Sequence, residues 1–270
     1  MKLLLIGHGY LGAAIARDFR LAGWQVTAAS LHGGHGLLAC DVSDSQAVEN
    51  CAPADFIIHC ASSGRGGEDA YRRVFVDGCR NLVQAFPGTP LLFTSSSSVY
   101  SQTDGSVVDE DSPTLPQRAT GGLLLEAERI VLDAGGVVAR LSGLYGPGRS
   151  VILRKFLSGQ AVIEEDGRRF LNQIHRDDAS AAILELARSG IRGAIFNVSD
   201  DRPLSQLECY EALARMFSES LPPRAPADLQ RKRGWSHKRV SNAKLRSIGW
   251  SPRYPSFLDA VESISEVSDC

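Results

Sequence analysis

Short, largely apolar runs alternate with longer amphipathic stretches through the first two thirds of the chain. Lys2–Ile6, Gln25–Ala29, Phe56–Cys60, Leu91–Thr94, Val137–Leu141 and Ala194–Val198 have the length and apolar content of strands covered on both faces. Between them, helical spacing of apolar residues predicts helices at about Gly9–Leu21, Tyr71–Ala85, Thr120–Leu132 and Asp177–Ala187. Strand and helix in alternation imply a parallel sheet with helices on both sides, and right-handed crossovers wind such a sheet outward in both directions. The fold class expected is α/β, a Rossmann-type doubly wound parallel sheet with a small C-terminal lobe.

After Val198 the pattern changes. Prolines gather at Pro222, Pro223 and Pro226, and a basic stretch runs from Arg231 to Arg239. The expected division is a dinucleotide-binding domain of residues 1–148 plus about 172–198. A smaller substrate lobe of about 149–171 plus 199–270 completes it. No internal repeat or low-complexity tract is visible.

The first strand runs directly into Gly7-His8-Gly9-Tyr10-Leu11-Gly12, a G-x-G-x-x-G pattern that opens the first helix. Gly7 permits a tight turn, Gly9 lets backbone approach a pyrophosphate, and Gly12 lets helix and strand pack closely. The helix N-terminus, with its unpaired N–H groups and its dipole, then holds the anion. With 26 glycines in the chain the pattern alone is weak, and its strand–turn–helix setting is what gives it meaning. The end of the second strand reports cofactor choice, because a carboxylate there binds the ribose of NAD and an arginine the extra phosphate of NADP. The sequence offers Ser30 and His32 and no carboxylate, which leans toward NADP over NAD.

Composition adds limits. The chain has 270 residues, is 43% hydrophobic and carries a formal charge of −2, so nothing argues for a nucleic-acid or anionic-membrane partner. No run approaches the ~20 apolar residues of a membrane helix. The apolar start resembles a signal peptide only until Gly7 and His8 interrupt it. Six cysteines form no C-x-x-C pair, and no metal-ligand spacing appears. A reducing, cytoplasmic setting is expected.

Further motifs carry a family resemblance over nearly the whole chain. Cys40-Asp41-Val42-Ser43-Asp44 resembles D-hydrophobe-S/T-D, Phe56-Ile57-Ile58-His59-Cys60-Ala61-Ser62 resembles V-I-H-x-A-A, and Tyr71–Gly78 resembles Y-x-x-V-N-V-x-G with Phe75 in place of asparagine. Thr94–Tyr100 is similar to S-S-S-x-x-V-Y, Arg140–Gly148 to L-R-x-x-x-x-Y-G-P-G, and Ile174–Asp178 to I-H-V-D-D. Val240–Arg246, with Gly249, Trp250 and Pro252, is similar to the C-terminal segment. These are motifs of the extended short-chain dehydrogenases/reductases, the NAD-dependent epimerase/dehydratase-like proteins. The resemblance implies that Asp41 meets the adenine, that Cys60, Ala61 and Ser62 lie beneath the cofactor, and that Ser96 is the catalytic serine.

One departure matters. The family's acid/base tyrosine lies in Y-x-x-x-K, with a glutamate eight residues after the tyrosine. Counting back from Glu128 places Thr120 at the tyrosine and Leu124 at the lysine, and no Tyr-x-x-x-Lys occurs anywhere. Threonine has no accessible pKa and leucine supplies no charge, so the usual proton transfer cannot run unchanged. This pattern resembles an atypical branch of the family. Arg118, two residues before Thr120, is a candidate to polarise a carbonyl or hold an anion, and His59 and Tyr145 are further candidates. His175 is expected to pack a loop onto the sheet. Arg65 and the run from Arg231 to Arg239 are expected to be solvated, and Ser95, Ser97 and Ser98 to cap a strand end.

The function expected is that of an NAD(P)-dependent reductase or dehydrogenase acting on a small carbonyl, imine or sugar-derived substrate with a non-standard proton donor. Alternatives are a dinucleotide-binding protein without chemistry and a sugar-nucleotide epimerase or dehydratase. Family members often dimerise through two helices. Here these are Tyr71–Ala85 and Thr120–Leu132, where Leu123, Leu124 and Leu125 are compatible with a homodimer surface.

Overall fold

The computed structural model describes residues 1–64, 66–229 and 235–265. Strand β1 (Lys2–Ile6) leads through the glycine turn into α1 (Tyr10–Leu21). Next come β2 (Gln25–Ser30), β3 (Leu38–Ala39), α2 (Ser45–Glu49) and β4 (Phe56–His59). Helix α3 (Glu68–Tyr71), a π-helical turn (Arg72–Asp77) and α4 (Gly78–Ala85) follow, then β5 (Leu91–Ser96). The chain continues with α5 (Ala119–Asp133), β6 (Val137–Leu141), α6 (Val151–Leu157), α7 (Arg176–Arg188), β7 (Ala194–Val198) and α8 (Gln206–Phe217).

Among the described residues the main sheet has seven strands in the order β7-β6-β5-β4-β1-β2-β3, all parallel. Strand order reverses at β1, which pairs with β2 on one side and β4 on the other. Ile6 is in register with both Ala29 and His59, so the chain leaves all three strands at one level. That is the switch point where a doubly wound sheet binds its ligand.

The period of two along a strand divides the core. Leu3 and Leu5 of β1 point to one face, where they meet Ile15 and Phe19 of α1 and Ile183 and Leu186 of α7. Leu4 and Ile6 point to the other, with Val76, Leu82 of α4 and Leu124 and Val131 of α5. Trp24 closes the first layer edge-on against Phe19, ring centroids 5.0 Å apart. A third cluster gathers Tyr145, Leu153, Phe156, Leu204, Tyr210, Leu213 and Phe257 away from the sheet. The C-terminal stretch also returns to the sheet, since Leu245 and Trp250 belong to the first layer and Val240 to the second.

The helix expected over Tyr71–Ala85 is broken by the π-helical turn. His59 Nε2, at the end of β4, lies 2.8 Å from the Val74 carbonyl and so donates to it. The carbonyl thereby has a partner from the sheet, where a helix would otherwise supply one. Gly78 allows the approach, because a Cβ there would stand 2.9 Å from Val42 Cγ1 and 3.2 Å from His59 Nε2.

Behind β5 lies a buried polar network. Arg140 NH2 donates to Glu128 Oε2 at 2.7 Å, and both side chains are almost fully buried. Ser95 Oγ donates to the same carboxylate, Arg140 NH1 to Tyr100 Oη at 2.8 Å, and Tyr100 Oη to Asn197 Oδ1 at 2.9 Å. Burial of the pair is tolerable because neighbours satisfy it. Three adjacent strand ends and α5 are tied together beneath Ser96.

The leucines of α5 pack within the chain. Leu123 and Leu124 are buried within the chain itself and Leu125 is half-buried against the same layer. The outer side of these helices carries charge instead, with Arg80 NH1 2.9 Å from Asp77 and Arg72 NH1 3.5 Å from Glu126. No described helix is long and apolar enough to cross a membrane. The five described cysteines are free thiols.

Candidate functional site

The cleft opens where β1 and β4 part. Gly7 has φ +102°, and a Cβ on it would overlap the Ala61 backbone. A Cβ on Gly12 would overlap the Gly7 carbonyl oxygen. Turn, helix and the strand-end backbone at Ala61 are thus in contact through two missing side chains. Cys60 Sγ donates to the Gly7 carbonyl at 3.0 Å. Burial pushes this thiol up to about 12, so it stays protonated as a donor. Gly9 differs from its neighbours: a Cβ there would meet nothing within 4 Å, so its backbone faces open space. Gly9 is also the N-cap of α1 and makes no side-chain cap, leaving the first-turn N–H groups directed at that space. These features fit a dinucleotide pyrophosphate.

The cleft measures about 240 Å³. Gly7, Gly9, Tyr10, Leu11 and Gly12 line it from the first turn, Cys60, Ala61 and Ser62 from the end of β4, and Ser96 from the end of β5. The structure brings all nine together around one cleft. His8, Ser30, His32 and Asp41 do not line it. Ser30 Oγ accepts from Gly33 N at 3.1 Å and His32 is exposed. Asp41 Oδ1 accepts from Ser43 N at 3.0 Å and Ser43 Oγ at 2.7 Å, which holds it in a local turn. Sequence reasoning missed Arg149, an exposed guanidinium that lines the same cleft and lies over the Tyr10 ring. Its place in the G-P-G-R turn was the available signal.

Thr120 and Arg118 do not line the cleft. They face a narrow recess beyond Leu124, where Arg118 is exposed and donates to the Leu229 carbonyl at 3.4 Å. Leu124 forms the wall between recess and cleft. An apolar side chain therefore lines the cleft that Ser96 also lines, at the position where the family resemblance implies a lysine.

His59 and Tyr145 are corrected as proton-donor candidates. His59 is fully buried beneath the cleft, and burial drives its imidazole down to about 4. Tyr145 is buried in the third cluster, with its hydroxyl donating to the Ser256 carbonyl at 3.4 Å. His175 caps α7, its Nδ1 accepting from Asp177 N at 3.2 Å, in the structural role expected. Arg65 lies outside the described residues.

Ser96 is half-buried. Its Oγ accepts from Ser98 N at 3.2 Å, capping the short turn Ser97–Val99. Its hydroxyl proton has no described acceptor and is free to point outward. Ser96 is shared between the cleft and a second pocket of about 150 Å³, which Ser98, Ser142, Arg169, Asn172, Ser236 and Lys238 line. The basic run therefore does not form one solvated face. Residues 231–234 lie outside the described residues, Arg239 is exposed, and Lys238 is only 4% exposed. Its Nζ donates to Ser236 Oγ at 2.8 Å. Burial, aided by the Arg169 guanidinium, pulls the Lys238 ammonium down to about 8.

Comparison with known proteins fits this geometry. The model of the NAD dependent epimerase/dehydratase family matches residues 3–199. Protein YeeZ of Escherichia coli K12 is 28% identical over 277 residues, covering 94% of this chain and 96% of its own. A solved structure from Methylobacillus flagellatus, provisionally described as an NAD-dependent epimerase/dehydratase, is 26% identical with a TM-score of 0.82 over 100% of this chain and 99% of that one. The dTDP-glucose 4,6-dehydratase of Bacillus anthracis, solved in complex with NAD, shares the fold at 17% identity, with a TM-score of 0.83 over 100% and 96% of the two chains. With the switch-point cleft, the glycine cradle and a family match over most of its length, the chain belongs to the NAD dependent epimerase/dehydratase family.

Proposed function

We propose that the chain is an NAD(P)-dependent reductase or dehydrogenase acting on a small carbonyl, imine or sugar-derived substrate, with a proton donor other than tyrosine. The observation that carries this reading is the shared position of Ser96. One side of it faces the dinucleotide cleft and the other a pocket of polar and cationic groups. A bound nicotinamide dinucleotide supplies or accepts the hydride. The residues of the chain do the rest. Gly9 and the first turn of α1 hold the pyrophosphate, with Arg149 adding charge. Ser96 donates a hydrogen bond from its hydroxyl to the substrate oxygen and fixes the carbonyl between the two spaces. Leu124 keeps water from that side of the cleft. At about 150 Å³ the second pocket suits a small substrate better than a nucleotide sugar. No described carboxylate closes the end of β2, which favours NADP over NAD.

A second reading, a sugar-nucleotide epimerase or dehydratase, draws support from the family description and from the activity of the Bacillus anthracis relative. Thr120 and Leu124 weigh against it, because these reactions pass a proton and a hydride in both directions at one centre.

A panel of small aldehydes, ketones and imines with NADPH or NADH, followed by loss of nicotinamide absorbance, tests the proposal. Net oxidation of the cofactor is expected. It should fall ~10²-fold or more in Ser96→Ala, as for loss of a positioned donor. Interconversion of sugar nucleotides without net cofactor consumption would favour the second reading. Cofactor binding with no turnover on any substrate would leave a dinucleotide-binding protein.

A further inference from the structure

The second pocket holds one buried lysine, Lys238. Lys238 enters it from the short strand Arg239–Val240, which pairs in parallel with Val107–Val108. Its backbone is fixed rigidly. Asn172 Nδ2 donates to the Lys238 carbonyl at 2.9 Å and Asn172 Oδ1 accepts from Val240 N at 2.7 Å. Nζ is held by Ser236 Oγ, a neutral partner. The pocket that Lys238 shares with Ser96 and Ser98 is otherwise lined by serines, an asparagine, Arg169 and apolar or backbone groups.

The charged and titratable groups around Lys238 are few among the described residues. Arg169 lines the pocket and is paired at 2.9 Å with Glu164. His237 stacks on Phe170, ring centroids 5.2 Å apart, with its Nδ1 accepting from Phe170 N at 3.3 Å. Arg239 is exposed, and its guanidinium lies over the Phe170 ring, 5.3 Å from the centroid. No described carboxylate lines the pocket to fix the ammonium in its charged form. A buried lysine without a counter-ion is costly to keep for stability alone, and such groups gather at working sites.

We propose that Lys238 is the proton donor of this chain, its Nζ giving a proton to the substrate oxygen that Ser96 positions. The assignment rests on the reductase reading above. In the reduction the substrate carbon accepts a hydride from a reduced nicotinamide dinucleotide, which is thereby oxidised. The C=O π pair moves onto oxygen, an Nζ–H bond breaks and an O–H bond forms. Lysine is left as the neutral amine and regains its proton from solvent. In the oxidation the amine accepts the alcohol proton. Burial and Arg169 place Lys238 near about 8, within reach of both forms at neutral pH.

The test has one arm that needs no cofactor. The chain contains five lysines, so lysine-labelled protein gives a simple NMR titration, with Lys238 assigned by the signal lost in K238R. A midpoint near 8 is expected, and titration in the ordinary lysine range, ~10.4, would overturn the assignment. The second arm is turnover. K238M and K238R should each lower kcat by ~10²–10⁴-fold while reduced-cofactor affinity is unchanged, and wild-type reduction should fall as pH rises through about 8. Arginine keeps the charge but cannot release a proton, so K238R that works within a few-fold of wild type would show a mere anchor and overturn the proposal. Should K238M not fold, K238R and the wild-type titration still decide. Turnover in wild type with an ordinary Lys238 midpoint leaves the reductase reading standing and removes the proton donor. A midpoint near 8 with no turnover of any carbonyl removes both.

Discussion

His59 and Lys238 are both buried bases whose charged forms are disfavoured by burial, and their surroundings give them different uses. His59 has Phe75 and Phe93 beside it and its Nε2–H on the Val74 carbonyl, with no route to substrate. Lys238 lines the pocket it shares with Ser96. The histidine should therefore show in stability and not in activity. Its ordinary value is 6.5 and its folded value about 4, so the native state resists the proton that the unfolded chain takes up. The stabilisation is complete above 6.5 and is lost as pH falls toward 4, by about 3 kcal/mol for a shift of this size. Buried carboxyls such as Asp200 and Glu110, raised by desolvation, act in the opposite direction over the acid range, so the comparison must be with a variant. Urea unfolding of wild type and His59→Gln at pH 7 and pH 4 should show the wild-type advantage shrinking by about 3 kcal/mol. An advantage independent of pH would contradict the account. At this scale the sequence was most legible where a residue sits in a motif. Ser96 and the three glycines lie where their patterns implied. Lys238 was not legible, because burial of one lysine in a basic run depends on contacts from Asn172 and Arg169, more than sixty positions away.

The elements followed the apolar pattern closely where a strand is covered on both faces, as β1, β4 and β6 are. Helices α1, α5 and α7 begin and end within a residue or two of expectation, since their apolar stripes are long. The π-helical turn has no local sequence signal because its cause, the His59 imidazole reaching Val74, comes from another element. The short helices α2 and α6 and the strand β3 were missed, as each is too brief to show a period. The junction of β1 and α1 is where element packing and binding are the same feature. Gly12→Ala should force α1 away from the Gly7 carbonyl, because the added Cβ and that oxygen would overlap. Expected are a lower Tm and a cofactor affinity weakened by at least ~10-fold, measured by nicotinamide fluorescence. Gly9→Ala, whose Cβ meets no atom of the protein within 4 Å, should keep the wild-type Tm and lose only affinity. Equal loss of Tm in both variants would contradict the division of roles between these glycines.

At the scale of the whole molecule, the sheet presents a dinucleotide cleft at its switch point and the returning C-terminal segment builds a second pocket against it. Ser96 is where they meet. The first of these spaces was readable in the sequence, because one turn and two strand ends make it. The second was not, because β5, the stretch before α7 and the segment after residue 234 contribute to it from distant parts of the chain. The absent Tyr and Lys become intelligible in this arrangement. Leu124 lines the cleft, and Lys238 lines the neighbouring pocket that shares Ser96 with it. All of it depends on a nicotinamide dinucleotide occupying the cleft. The most direct measurement is a titration of the folded protein with NADPH, NADP⁺, NADH and NAD⁺, followed by thermal unfolding and nicotinamide fluorescence. Binding to the native state alone should raise stability by ~2.7 kcal/mol at a hundredfold excess over Kd, with NADPH giving the larger shift at equal concentration. No shift and no fluorescence change with any of the four would contradict the account.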